Sequence, residues 1–141
     1  MVYNFTKRLR MTRYLFLVLV LGTLLAPPVV SAHYEGELLP DSVAVMEYQM
    51  IISMKPTDTI TRNKLGMVYI RQNKLDRARK EFMEVLKVAP SDFDALDSLG
   101  IVSDKEGRFD GSVVWYGKAL EVKDDKGARQ RLNDAKKKLG H

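Results

Sequence analysis

Residues 59–92, TITRNKLGMVYIRQNKLDRARKEFMEVLKVAPSD, are followed directly by a second copy, residues 93–126, FDALDSLGIVSDKEGRFDGSVVWYGKALEVKDDK. The second copy begins 34 residues after the first, and residues of similar type recur at matching places. A fixed period of this length is typical of stacked helical hairpins. We therefore predict an all-α fold in which each copy forms one antiparallel helical hairpin.

The repeat places small residues opposite large ones. Gly66 recurs as Gly100, and the ring of Phe82 recurs as that of Tyr116. A glycine inside a helix costs about 1 kcal/mol relative to alanine, so its recurrence needs a reason. We predict that Phe82 packs over Gly66 and that Tyr116 packs over Gly100, which makes all four residues structural.

Helical periodicity and end signals define six segments. Asn73 and Gly107 are predicted to end the first helix of each copy in the left-handed conformation. The pairs Asp41-Ser42, Thr57-Asp58 and Ser91-Asp92 are predicted to cap helix N-termini, and Asp124-Asp125 leads into the last helix. The predicted helices cover residues 43–54, 58–71, 75–87, 92–105, 109–122 and 126–138.

The two end segments differ from a complete copy. Ala44, Tyr48 and Ile51 recur one period later as Ala78, Phe82 and Val85. The segment 42–56 therefore corresponds to the second helix of a repeat whose first helix is missing. The last helix is predicted to cover one end of the stack, since its remaining face is polar and basic. Its narrow apolar stripe consists of Ala128, Leu132, Ala135 and Leu139.

The chain resembles the tetratricopeptide repeat family over about residues 43–140. In the first copy, the family's Leu-Gly pair is followed in order by an aromatic, a small, an aromatic and a small residue and by a proline. The second copy departs from this pattern at Ser103, where an aromatic residue is usual, and at Asp124, where proline is usual. These departures suggest that the second hairpin is packed more loosely. The resemblance implies a short right-handed superhelix with a half-repeat (42–56), two repeats (59–92 and 93–126) and a capping helix (126–139). The residues that carry it are Leu65, Gly66, Tyr69, Ala78, Phe82, Val85 and Pro90, then Leu96, Leu99, Gly100, Ser112, Tyr116 and Ala119.

The resemblance also implies a binding surface, because members of this family usually hold peptides in a concave groove lined by the first helix of each hairpin. The corresponding positions mix apolar side chains with three aspartates, so we expect a partly apolar and basic protein segment as the ligand. Family members that grip a C-terminal carboxylate use an arrangement of Lys, Asn and Arg that this groove lacks, so such a role is not expected. The predicted groove residues are Ile60, Asn63, Met67, Ile70, Arg71, Asp94, Asp97, Ile101, Asp104 and Lys105.

The single tryptophan, Trp115, allows two interpretations. It packs against the terminal helix and the hairpin edge, or it anchors a partner or a second subunit.

The first 32 residues have the three parts of a secretory signal peptide. Basic residues precede an uncharged apolar run at 14–26, and Val30-Ser31-Ala32 follows it, so cleavage is expected after Ala32. An uncleaved N-terminal anchor is the alternative, and it would be the only part of the chain that attaches to a membrane. Residues 33–41 are expected to form an extended lead-in. We expect an exported protein that is periplasmic or secreted, or one that is anchored to the inner membrane. Met11 is a second possible start of translation.

Charge and composition exclude several classes of function. The chain has 141 residues and a net charge of +5, but Lys7, Arg8, Arg10 and Arg13 precede residue 32 and all 18 acidic side chains follow it. The folded part is therefore nearly neutral, and we expect no nucleic-acid partner. There is no cysteine, which excludes disulfides, thiolate metal sites and a lipid-modified cysteine.

No constellation predicts catalysis or a cofactor. The only histidines, His33 and His141, lie near or at the ends of the chain. An amino-terminal His33 could bind copper but lacks a second histidine, and Asp92, Asp94 and Asp97 lack the glycine and glutamate of a calcium loop. No glycine-rich phosphate loop is present.

The leading hypothesis is thus a non-enzymatic interaction scaffold of the cell envelope. The alternative is a self-associating structural subunit or a membrane-anchored assembly factor for an envelope complex. A catalytic protein is the third and least supported hypothesis, and no cofactor or metal is expected.

Overall fold

The computed structural model describes residues 40–140, and this part of the chain is entirely helical outside its turns. The predicted export segment and most of the predicted lead-in lie outside the described residues. The helices confirm the sequence-based segments to within one or two residues. They are α1 (Asp41–Met54), α2 (Thr59–Arg71), α3 (Leu75–Val88), α4 (Phe93–Lys105), α5 (Phe109–Val122) and α6 (Lys126–Leu139).

Aspartates cap three of these helices as their N-cap residues. The side chain of Asp58 accepts a hydrogen bond from the backbone N–H of Thr61 at the start of α2. Asp92 and Asp125 do the same for α4 and α6. The predicted cap of α1 is wrong: Pro40 occupies the N-cap position without a side-chain hydrogen bond, and Asp41 already belongs to the helix. The Asp41 carboxylate is instead bonded to Arg71 of α2.

The turn inside each hairpin contains one residue with a left-handed backbone conformation, as predicted. Asn73 has φ of 56° and Gly107 has φ of 73°. Both follow the first helix of a hairpin and let the chain reverse within a few residues.

Each hairpin is closed by a ring that lies against a glycine. A Cβ atom on Gly66 would stand 2.5 Å from Cζ of Phe82, and one on Gly100 would stand 2.4 Å from Cδ1 of Tyr116. Phe82 is fully buried and Tyr116 is 2 % exposed. The ring of the second hairpin therefore lies as close to its glycine as that of the first, which corrects the expectation of a looser unit. Ser103, at the position where the family carries an aromatic residue, is buried.

The helices form a stack in which each helix packs mainly on its neighbours in sequence. The core lies between the two hairpins and includes Leu65, Ala78, Val85, Leu99 and Val102. α2 and α4, the first helices of the two hairpins, also touch each other. Their shared side forms the groove described below. Among the helices of residues 40–140, none combines the length and the apolar character needed to cross a membrane.

α6 covers one end of the stack. It packs on α5 and buries Ala128 and Ala135. Its last turn is basic, and Gly140 ends it in the left-handed conformation. These features match the predicted capping helix.

Candidate binding groove

An open groove of about 580 Å³ runs along α2 and α4. Its apolar lining comes mainly from α2: Ile60 is 68 % exposed and Met67 is 40 % exposed. Val68 of α2, Ile101 of α4 and Tyr48 of α1 complete the apolar part. Large exposed apolar side chains of this kind tend to mark interaction sites when they adjoin one another.

Most of the predicted groove residues do line this groove. They are Ile60, Asn63, Met67 and Arg71 from α2 and Asp94, Asp97 and Ile101 from α4. Spacings of three and four residues place each set on one helical face, which is why the sequence could identify them.

Three predicted groove residues do not belong to the lining. Ile70 is only 7 % exposed and is part of the core, because it lies where the groove face of α2 meets the core face. Asp104 and Lys105 lie in the last turn of α4, where Asp104 faces α6 and Lys105 is exposed. Sequence reasoning missed Tyr48, Lys64, Val68, Asp92 and Ser98, which also line the groove.

Asp97 is held by a cation from α6. Arg131 donates two hydrogen bonds to its carboxylate, Nε at 3.1 Å and Nη2 at 2.6 Å. Asp97 is 8 % exposed, and burial raises the pKa of its carboxyl despite the opposing hydrogen bonds from Arg131. This aspartate therefore serves mainly to attach α6, and it contributes little free negative charge to the groove.

Asp104 is paired in the same manner, since Nζ of Lys138 donates to both of its carboxylate oxygens at 2.8 Å. Of the three aspartates expected to make the groove acidic, only Asp94 forms no ion pair within residues 40–140. It stands in the first turn of α4, next to the capping carboxylate of Asp92. The acidic character of the groove is thus concentrated at one end of α4.

The α2 side of the groove carries the opposite charges. Arg71 is engaged by Asp41, with Nη2 at 2.7 Å and Nε at 3.1 Å from Oδ1. Lys64 is exposed and makes no ion pair within the described residues. Asn63 donates to Asp92 at 3.0 Å, while its own Oδ1 is buried without a hydrogen-bond partner.

Trp115 lies on a surface that is separate from the groove along α2 and α4. It lines a second, smaller depression of about 330 Å³ together with Arg79 and Met83 of α3, and it packs against the core between the hairpins. The predicted contact with the terminal helix is therefore corrected: Trp115 faces α3. Nζ of Lys118 stands 4.8 Å from the centre of its ring.

No group of three or more His, Cys, Asp or Glu side chains within residues 40–140 is arranged to hold a metal ion.

Comparison with known proteins supports the repeat assignment. Residues 61–92 match the family described as Tetratricopeptide repeat. This segment is therefore similar to a tetratricopeptide repeat (TPR). A TPR repeat-containing protein of Methanocaldococcus jannaschii is 35% identical over 57 residues, which is 40% of this chain and 10% of that protein.

Longer matches of lower identity come from larger proteins. The aspartyl/asparaginyl beta-hydroxylases of Mus musculus and Homo sapiens are each 27% identical over 113 residues, 77% of this chain. The match spans only 14% of the length of those proteins.

A solved structure has the same fold. The first TPR of Spaghetti (RPAP3), bound to the HSP90 peptide SRMEEVD, superposes with a TM-score of 0.69 at 16% identity. The similarity covers 72% of this chain and 81% of that one. The architecture is thus that of TPR hairpins, with α2–α3 and α4–α5 as the two complete units.

Proposed function

We propose that this chain is a non-enzymatic interaction scaffold of the cell envelope, and that the groove along α2 and α4 binds a partly apolar, basic segment of a partner protein. The observation that carries the proposal is the open groove itself, in which Ile60 and Met67 are exposed beside Asp94. A TPR neighbour that holds a peptide gives general support to this type of role.

The charge of the groove argues for a basic segment. Asp92 and Asp94 contribute carboxylates at the N-terminal end of α4, and Lys64 is the one lining cation that no acidic side chain of residues 40–140 engages. The peptide in the solved neighbour, SRMEEVD, is acidic. A groove with a net excess of carboxylates favours the opposite sign of ligand.

The non-enzymatic part of the proposal rests on the available side chains. The described residues contain no histidine and no cysteine, and most of their carboxylates act as caps or ion-pair partners. The beta-hydroxylase activity belongs to proteins of which this chain matches a small part.

Two methionines provide a matched test of the groove. Met67 is 40 % exposed in the groove, and Met83 is 41 % exposed on α3, away from it. We expect Met67→Glu to abolish co-purification of the native partner, while Met83→Glu retains it and both variants keep the helical circular dichroism of the parent. Loss with both variants, or with neither, would reject the groove as the binding site.

Placement in the cell envelope is supported by the basic, apolar and small-residue segments at 1–32. Cell fractionation followed by N-terminal sequencing tests it. A periplasmic or secreted form beginning at His33 is expected. A cytoplasmic form that begins at Met1 or Met11 would overturn this part without affecting the groove test.

A further inference from the structure

One row of equivalent positions crosses the first helices of the stack, from α2 through α4 to α6. Asn63, Asp97 and Arg131 follow one another in this row at intervals of 34 residues. Equivalent positions of a repeat occupy equivalent places on successive helices, and Asn63 and Asp97 both line the groove. Arg131 is therefore the next member of a row that already provides two groove residues.

Arg131 meets this row at the carboxylate of Asp97. Its Nε donates to Oδ1 at 3.1 Å and its Nη2 donates to Oδ2 at 2.6 Å, so the guanidinium engages both oxygens. The Asp97 side chain keeps only 12% exposure. A two-pronged pair of this kind is the usual way in which an arginine recognises a carboxylate. Arg131 thus makes, from the side of α6, the contact that a basic residue of a ligand would make from the groove.

Asp97 stands close to the apolar part of the groove. The hydroxyl of the adjacent Ser98 lies 3.6 Å from Sδ of Met67, and Ile101 follows one turn later on the same face of α4. A segment that covers Met67 and Ile101 therefore brings its charged groups near Asp97. In the free protein that carboxylate is neutralised by Arg131, so its charge is masked from such a segment.

Arg131 has other favourable contacts within its reach. Its side chain is 37% exposed, and its Cζ lies 5.9 Å from the centre of the Tyr116 ring. The carboxylate of Asp125, the N-cap of α6, is near enough for the charge of Arg131 to lower its pKa. A guanidinium released from Asp97 therefore keeps an aromatic face and a second carboxylate close by.

α6 also has attachments that do not involve Arg131. It packs on α5 and buries Ala128 and Ala135. Lys138 binds Asp104, which lies outside the groove lining. The pair of Arg131 with Asp97 can therefore open while the helix stays in place.

We propose that Arg131 is an internal competitor for the groove ligand: it holds the carboxylate of Asp97 in the free protein, and a lysine or arginine of the bound segment displaces it. This inference rests on the proposed function, because it names the contact that the basic ligand makes at the centre of α4. Arg131 is thereby a specificity-determining residue, since it sets how much negative charge the groove offers. Ligand binding and the Arg131 pair oppose each other, and a coupling of this kind is reciprocal.

Arg131→Gln weakens the competitor without removing its hydrogen bond. The amide still offers a donor to Asp97, so the variant should fold, but it lacks the charge and the two-pronged geometry. Arg129→Gln is the matched control, because it removes the same charge from the same helix and Arg129 pairs with Asp124, outside the groove lining. The probe is the peptide SRMKKVK, in which lysines replace the acidic residues of SRMEEVD.

Methyl NMR of the purified protein, labelled at methionine, measures the affinity of each variant for this peptide. The signal of Met67 reports the groove, and that of Met83 serves as a reference outside it. We expect Arg131→Gln to bind SRMKKVK about threefold to tenfold more tightly than the parent protein, because the carboxylate of Asp97 is then free to pair with a lysine. Arg129→Gln should stay within about twofold of the parent, since salt screens its more distant charge.

A second substitution shows whether the gain in affinity comes through Asp97. Asp97→Asn, added to Arg131→Gln, removes the freed carboxylate and keeps the size of the side chain. The affinity should then return to that of the parent protein. A gain that persists in the double variant would come from the lost positive charge alone and would overturn the proposal.

The parent protein also gives a readout that needs no substitution. Because Nε of Arg131 donates to Asp97, the NMR signal of this Nε–H group reports the pair directly. Saturating SRMKKVK should shift the Nε–H signal of Arg131 and leave that of Arg129 unchanged. This measurement tests the displacement even where Arg131→Gln fails to fold.

Each remaining outcome counts against the proposal. Equal affinities of the parent and Arg131→Gln, or a shifted Met67 beside an unshifted Arg131, would show that the ligand binds without displacing Arg131; the proposed groove would stand. The absence of a Met67 shift in every protein would reject the basic ligand and the displacement together. The Met67→Glu test with the native partner then decides whether the groove binds a segment of another kind.

Discussion

Arg131 lies 34 residues after Asp97 and donates two hydrogen bonds to its carboxylate. Lys138 meets Asp104 at the same offset. Both pairs join α4 to α6. The terminal helix lacks the Leu-Gly pair of the repeats, but its basic residues stand one repeat period after the acidic residues that they bind. These pairs also mean that most of the acidic residues expected to attract a ligand hold the end of the stack instead.

Removal of Asp97 should weaken the attachment of α6. Asp97→Ala removes the hydrogen-bond partner of Arg131, and we expect the free energy of unfolding to fall by about 1–3 kcal/mol. Because the Arg131 side chain is 37% exposed, the loss should be smaller than for a fully buried pair. Asp104→Ala, whose pair with Lys138 is more exposed, should cost about 0–1 kcal/mol. Urea unfolding measures both. Equal losses would contradict the assignment of Asp97 as the main attachment.

Filling the space under the Phe82 ring should destabilise the first hairpin. A Cβ on Gly66 would stand 2.5 Å from Cζ of Phe82, so Gly66→Ala should cost about 1–3 kcal/mol and Gly66→Leu more. Gly117, inside α5, has nothing within 4 Å of an added Cβ and provides the control. Gly117→Ala should stabilise the protein by about 0.5–1 kcal/mol through helix propensity. If the denaturant midpoints of both variants shift in the same direction from that of the parent protein, the close-packing explanation is refuted.

The sign of the preferred ligand can be tested with two peptides of matched length. SRMKKVK replaces the acidic side chains of SRMEEVD with lysines, and we expect only the basic peptide to shift the methyl signal of Met67. Asp94→Lys should weaken SRMKKVK about threefold to tenfold. Asp76→Lys is the control, since Asp76 occupies the first turn of α3 as Asp94 does in α4. Preferential binding of SRMEEVD would mean that the cations of the groove, with Lys64 foremost, decide its specificity.

Acid should weaken the start of α2 through its cap. The hydrogen bonds from the backbone and side chain of Thr61 hold the pKa of Asp58 below its ordinary value of 3.8. A carboxyl whose pKa is lower in the folded state contributes stability above the unfolded pKa and loses it as the pH falls through the folded pKa. We expect Asp58→Asn, which still caps the helix, to lose less stability than the parent between about pH 5 and about pH 3. Parallel urea curves at the two pH values provide the measurement, and identical acid sensitivity would exclude Asp58 as a contributor.

The attachment of α1 to α2 includes the exposed pair of Arg71 and Asp41. Their side chains are 43% and 34% exposed, so Arg71→Ala should cost within about 1 kcal/mol. A double-mutant cycle with Asp41→Ala should give a coupling energy of about 0.2–1 kcal/mol that falls with added salt. A coupling energy of zero would show that the pair does not hold α1.

The sequence alone was sufficient for the hairpins because their determinants are local or periodic. Asn73 and Gly107 end helices by their own conformational freedom, and the spacing of Gly66 and Phe82 repeats at Gly100 and Tyr116. The groove face of α2 could also be identified from spacing, except at Ile70. That side chain lies at the edge of the face, where small rotations of a helix decide between exposure and burial.

The fate of the aspartates was harder to predict because it depends on side chains from another helix. Helical spacing correctly places Asp97 on the groove face of α4, but only the position of α6 brings Arg131 to it. A usable clue existed, since the opposite charges stand one repeat period apart. The cap of α1 was missed for a similar reason. The carboxylate of Asp41 pairs with Arg71, 30 residues later, and Pro40 occupies the cap position.

The stack also has a kinetic consequence. Since helices touch mainly their neighbours in sequence, with α2 and α4 as the principal exception in the described part, most contacts close short loops. Proteins with such local topology fold quickly, and their repeats open as a nearest-neighbour chain. Amide hydrogen exchange should therefore be graded, slowest in α4 at the centre of the described stack and fastest in α1, which within residues 40–140 packs mainly on α2.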